Sequence, residues 1–115
     1  MLTIAELLPF ATELFGVNTQ DLLSEKRDQL LVETRIALCA VGITLGLNSH
    51  EITGPLKRHR TLYYHYRGMH PLLFDQSTSY RERAQILFVH AKNAKRIKRE
   101  NALSMFSESK TKVCA

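Results

Sequence analysis

The sequence predicts an all-α domain, a compact bundle of about six helices containing a helix-turn-helix. Three observations predict it. Apolar residues recur at three- and four-residue spacing along most of the chain, with no convincing strand. Cap and stop residues punctuate that pattern. A hydrophobic fraction of 44% over 115 residues is enough for one packed core and argues against wholesale disorder.

Thr3 and Glu6 have capping-box spacing. Ile4, Leu7, Leu8, Ala11 and Leu14 or Phe15 follow at helical intervals, and Gly16 fits the left-handed position past a helix end. A first helix is expected over residues 3–15. Asn18 or Thr19 caps a short second helix over 20–23, with Leu22 and Leu23 pinning it to the first. After the charged link 24–27, a long helix is expected over 28–45. Its apolar residues Leu31, Ile36, Leu38, Cys39, Val41 and Leu45 nearly surround it toward the C-terminal end, as in the buried centre of a bundle. Gly46 ends it.

Ser49 is expected to cap a short helix through Glu51, Ile52 and Thr53. Gly54-Pro55 marks a turn, because proline lacks an amide donor and restricts the residue before it. A further helix is expected from Lys57 to about Tyr66, broken by Gly68 and Pro71. Ser79 and Glu82 then make a second capping box. It opens a long helix with Ala84, Leu87, Phe88, Ala91 and Ala94 along one face. That helix turns basic from Lys92 onward. Residues 1–104 are expected to form a single helical domain, and 105–115 a flexible tail.

The distribution of charge says more than the net charge of +5. Residues 1–34 hold six acids, Glu6, Glu13, Asp21, Glu25, Asp28 and Glu33, against Lys26 and Arg27. Cations gather at 57–67 and again from Lys92. Residues 55–67 pack Lys57, Arg58, Arg60 and Arg67 with Thr61, His59, His65 and three tyrosines, and no carboxylate lies between Glu51 and Asp75. Such a segment, following a short helix and a turn, suits insertion into a nucleic-acid groove. A solvated surface with a basic tail is the simpler alternative.

Several classes find no support. The two cysteines, Cys39 in an apolar run and Cys114 near the end, lack zinc-ligand spacing. The five histidines show no metal-ligand spacing with a carboxylate. No cofactor or small-molecule ligand is expected. No Ser-His-Asp order, glycine-rich phosphate loop or paired catalytic carboxylate stands out, so the chain reads as non-enzymatic. The N-terminus has no cationic n-region, and the longest apolar run, 36–47, is too short to span a bilayer. A cytoplasmic, nucleoid-associated location without membrane contact is expected.

The run Phe15-Gly16-Val17-Asn18-Thr19-Gln20-Asp21-Leu22-Leu23-Ser24 resembles the opening of the C-terminal DNA-binding domain of the bacterial replication initiator DnaA. That family carries a phrase of the type F-G-V-S-x-E-D-L-L-S and then a basic loop, here Glu25-Lys26-Arg27. An arginine that opens a long apolar helix is matched by Arg35. The family's L-P-E-I-G segment is matched by Ser49-His50-Glu51-Ile52-Thr53. Its signature R-D-H-T-T-V-L-H is matched by residues 58–65, with Arg58, Thr61 and His65 in register. The resemblance covers about residues 10–70. Departures fall within the signature: His59-Arg60 replace Asp-His, Leu62 replaces the second Thr, and Leu56-Lys57 replace Gly-Gly. The family's ATPase domain has no counterpart in this sequence.

The resemblance implies a helix-turn-helix that binds double-stranded DNA, in replication initiation and its control or in transcriptional regulation. On that basis Arg58 is the candidate for a bidentate contact to guanine, and Thr61 for a base edge or thymine methyl. Lys57 and Arg60 pair with phosphate or a second base. Lys26 and Arg27 reach the backbone or minor groove. Ser49, His50 and His59 complete the DNA-facing set, while His65 bonds a phosphate or caps the inner face. Replication proteins are further expected partners. An alternative is a protein- or RNA-interaction module that keeps the fold without recognising the DnaA box.

Overall fold

The computed structural model describes residues 2–114 and the side chains of residues 2–100. Its elements are α1 (Ile4–Phe15), α2 (Thr19–Leu22), α3 (Gln29–Thr44), α4 (Ser49–Thr53), α5 (Leu62–Gln76) and α6 (Thr78–Cys114). The described residues contain no strand, and the helices form a compact all-α bundle. The expected tail over 105–115 lies outside the residues whose side chains are described.

The first two helices begin where their caps predict. The Thr3 hydroxyl accepts from the Glu6 amide, and Gly16 closes α1 at φ 71° with its own amide on the Glu13 and Thr12 carbonyls. Asn18, not Thr19, caps α2, accepting from the Asp21 amide at 2.7 Å. Pro9 sits inside α1 on its exposed side, where its missing amide leaves packing untouched.

α3 is the hub, touching α1, α2, α4, α5 and α6. That position explains why its apolar residues run nearly all round: Leu31, Ile36, Leu38, Cys39 and Val41 are all buried. At Gly42, α3 is approached closely by side chains of α4 and α1. A Cβ there would lie 2.6 Å from Ile52 Cγ1 on α4 and 3.2 Å from Ile4 Cδ1 on α1. The core continues through Leu56, Tyr66, Tyr80, Ala84, Leu87 and Ala91.

Four boundary expectations are corrected. Asn48, not Ser49, caps α4. It forms a full capping box with Glu51, whose carboxylate accepts from the Asn48 amide at 3.1 Å. α5 starts at Leu62 rather than Lys57, because Lys57 adopts φ 54°, a left-handed conformation that no helix start accommodates. Buried Leu56 anchors that turn, and the Arg58 amide folds back onto the Thr53 carbonyl at 3.0 Å.

α5 also runs through Gly68 and Pro71 to Gln76. Proline in a helix interior costs about 3 kcal/mol. Burial of Tyr66 and packing of Met69, Leu73 and Phe74 against the core offset it. Finally, Ser77 opens α6 in place of Ser79. Its extended backbone (φ −114°, ψ 111°) aims its hydroxyl at the Tyr80 amide, 3.3 Å away.

Candidate nucleic-acid interface

The basic loop is held in place by a buried arginine. Arg35, only 1% exposed, reaches from α3 under the 21–26 segment. Its Nε donates to the Leu22 carbonyl at 3.0 Å and its Nη1 to the Lys26 carbonyl at 2.7 Å. Its Nη2 donates to the carbonyls of Ser24 at 3.0 Å and Asp21 at 3.3 Å. These bonds satisfy the open C-terminal end of the short α2 and set the course of the chain through Lys26 and Arg27. The sequence marked Arg35 as the start of an apolar helix. Its role as organiser of the loop was not visible, because its partners are backbone carbonyls and leave no side-chain pattern.

Arg58 is near enough to act on Arg35. Burial lowers the Arg35 pKa, neighbouring Arg58 lowers it further, Tyr66 opposes, and Arg27 adds a smaller downward push. Burial also raises the Tyr66 hydroxyl pKa, against the pull of Arg35, Arg58 and Arg27. Arg27 of the basic loop, Arg35 of α3 and Arg58 of the turn before α5 therefore act on one another as one cationic cluster. Among the described residues the ion pairs are Lys26–Asp21 at 3.1 Å, Arg96–Glu100 at 3.8 Å and Lys98–Glu6 at 2.8 Å. None engages Arg27, Lys57, Arg58, Arg60 or Arg67.

The predicted contact residues divide into three groups. Lys26, Arg27, Lys57, Arg60 and His50 are exposed. His59 and Thr61, also exposed, bond each other: the Thr61 amide donates to His59 Nδ1 at 3.2 Å and the hydroxyl lies 2.8 Å from the same nitrogen. That nitrogen is the acceptor of both bonds, and the pair braces the entry to α5. Arg58 is half-buried, with Nε and Nη2 shut away from solvent and without a hydrogen-bond partner among the described residues. Ser49 is half-buried in the first turn of α4, where its carbonyl accepts from the Thr53 hydroxyl at 2.7 Å. His65 is exposed, three residues into α5.

α4 and the turn are tied across a small hollow. Arg60 Nη1 stands 3.4 Å from His50 Nε2, and His50, Thr53, Gly54, Arg58, His59 and Arg60 line an open hollow of about 300 Å³. Tyr64, 67% exposed on the first turn of α5, is an aromatic surface that sequence periodicity alone did not separate from Tyr63 and Tyr66.

A second, larger concavity of about 1160 Å³ lies between α5 and α6, walled by His70, Pro71, Phe74, Phe88 and Val89, with Arg81 and Lys92 on its edge. Arg81 is occupied there, donating to the Phe74 carbonyl at 2.7 Å and the Asp75 carbonyl at 2.8 Å. Among the described residues no cluster of three metal-binding side chains occurs, and no helix is long and apolar enough to cross a membrane. No family model, curated protein or solved structure matches the chain.

Proposed function

We propose that this protein binds double-stranded DNA through α4, the 54–61 turn and α5, with the 24–27 loop as a second contact. The observation that carries this reading is the convergence of unpaired cations. Arg27 from the loop and Arg58 from the turn both act on one buried guanidinium, Arg35, and Lys57 and Arg60 flank Arg58 in the chain, exposed. A surface of this kind attracts phosphate and makes affinity depend steeply on salt. The exposed start of α5, with Tyr64 and His65, is the part that enters the major groove.

The late start of α5 changes the assignment of roles. Arg60 and Lys57 precede the helix and suit backbone contacts. Thr61 and His59 act first on each other, and reach DNA as a braced pair. Neither acid–base catalysis nor a cofactor enters this proposal.

Titration of duplex DNA at rising salt tests it. If about four phosphates are neutralised, affinity falls roughly 100-fold between about 50 and 200 mM salt. Absence of duplex binding at the lower salt overturns the reading. Selection from a random duplex pool then reports the site and its relation to the DnaA box.

One observation favours a second reading, a protein-interaction module. The α5–α6 concavity adjoins Ile86 and Val89 on α6, which are about half exposed. A partner captured equally well after nuclease treatment, and lost on Val89→Glu, would support it.

A further inference from the structure

We propose that the hollow between α4 and the 57–61 turn is a socket for one phosphate group, and that Arg58 is its latch. The proposal deepens the DNA reading, which supplies the phosphate, and it names a residue that changes position on binding.

Arg58 is held with part of its guanidinium unpartnered among the described residues. Two of its three guanidinium nitrogens are buried without acceptors among the described residues. It acts on another cation, Arg35, which is already bonded to four backbone carbonyls, and Arg27, which also acts on Arg35, carries no ion pair among the described residues. The sequence offers no carboxylate between Glu51 and Asp75, and Glu51 is occupied by the Asn48 cap. A buried guanidinium without partners is costly, and a short outward rotation relieves it if an anion waits outside.

The hollow is where such an anion sits. Arg58 forms one wall, with Arg60, His50 and His59 around it and a volume of about 300 Å³. Lys57, immediately before, is left-handed, and Arg58 is half-buried while Lys57 and Arg60 stay exposed. Strained backbone beside an unsatisfied charge is a combination that persists at binding sites. A tetrahedral phosphate oxygen pair matches the planar guanidinium fork, which supplies two parallel donors. The ligand class is therefore a phosphate group, either free or esterified in a nucleic-acid backbone.

The test uses the full chain and inorganic phosphate, with chloride at equal ionic strength as control. Thermal unfolding of the wild type is expected to shift upward by roughly 3–8 °C at a phosphate concentration about ten times its Kd. Arg58→Met is expected to lose that shift. A wild type that responds to phosphate no more than to chloride, or an Arg58→Met that keeps the full response, overturns the socket. Should Arg58→Met not fold, the arginine side-chain NMR signals of the wild type decide. The Arg58 Nε–H resonance must move on phosphate titration, and a resonance that stays fixed overturns the proposal.

Duplex DNA separates the two sources of phosphate. A phosphate response without duplex binding upholds the socket for the free anion and overturns the DNA reading. Duplex binding without a phosphate response upholds the DNA reading and overturns the socket.

Discussion

Arg35 and Lys26 are joined through the backbone: the Arg35 Nη1 donates to the Lys26 carbonyl at 2.7 Å, from a side chain that is 1% exposed. A buried cation thus positions an exposed one, although the two repel. Arg35→Met removes the donors for four carbonyls while keeping much of the volume. Loss of about 3 kcal/mol or more is expected in urea unfolding. Hydrogen exchange at the amides of residues 24–27 should accelerate well beyond the global change. Uniform acceleration across the chain would mean that Arg35 supports the bundle alone and not the loop.

Arg60 is the cleanest probe of phosphate contact, because among the described residues its side chain forms no ion pair and meets the His50 ring at 3.4 Å. Arg60→Ala is expected to leave unfolding free energy within about 0.5 kcal/mol of the wild type. It should weaken duplex binding by a similar factor on all sequences and reduce the salt slope by about 1. Sequence-dependent weakening would instead assign Arg60 to a base edge.

Much of the fold was legible in the sequence, and the two misreadings of α5 share one cause. Thr3, Gly16 and Asn18 act through short local bonds, so their positions in the chain sufficed. Pro71 looked like a stop because its local cost is large. Only the burial of Tyr66, Leu73 and Phe74 against α3 and α6 carries α5 past it, and that packing is not written in local spacing. The start of α5 failed similarly: the left-handed Lys57 follows from Leu56 being drawn into the core. The candidate site was legible as a composition. That Arg58 turns inward, and that Arg35 gathers the loop, depends on side-chain directions that only the assembled bundle sets.

His70 gives stability a pH dependence of definite sign. Its Nδ1 lies 2.7 Å from the buried Tyr80 hydroxyl, and burial lowers its pKa below the ordinary 6.5. The unfolded chain therefore binds its proton at higher pH than the folded one. The contribution is fully present above pH 6.5 and is lost as pH falls through the lowered folded value. Melting temperature should fall on going from pH 8 to pH 5, and His70→Gln, which keeps a hydrogen-bonding group for Tyr80, should flatten that fall. An equal pH slope in the variant would place the titration elsewhere.

Gly42 marks a contact with no room to spare. Alanine improves helix propensity by about 1 kcal/mol but places a carbon 2.6 Å from Ile52 Cγ1, and overpacking of that kind costs about 1–3 kcal/mol. Gly42→Ala should therefore lower stability by about 1 kcal/mol net. A gain in chemical unfolding would show that α4 slides away freely.

The rings of Phe10 and His90 stack 3.7 Å apart, and Lys98 reaches Glu6 across 92 residues of chain. Every other helix is bracketed between the two that meet in this seam. Closing so large a loop is entropically slow compared with forming α4 against its turn or α2 under Arg35. The seam is then the last part of the domain to form and the first to part. A ribosome must release the chain through Lys98 before this seam can close, so α1 waits through synthesis with Leu7 uncovered on that side.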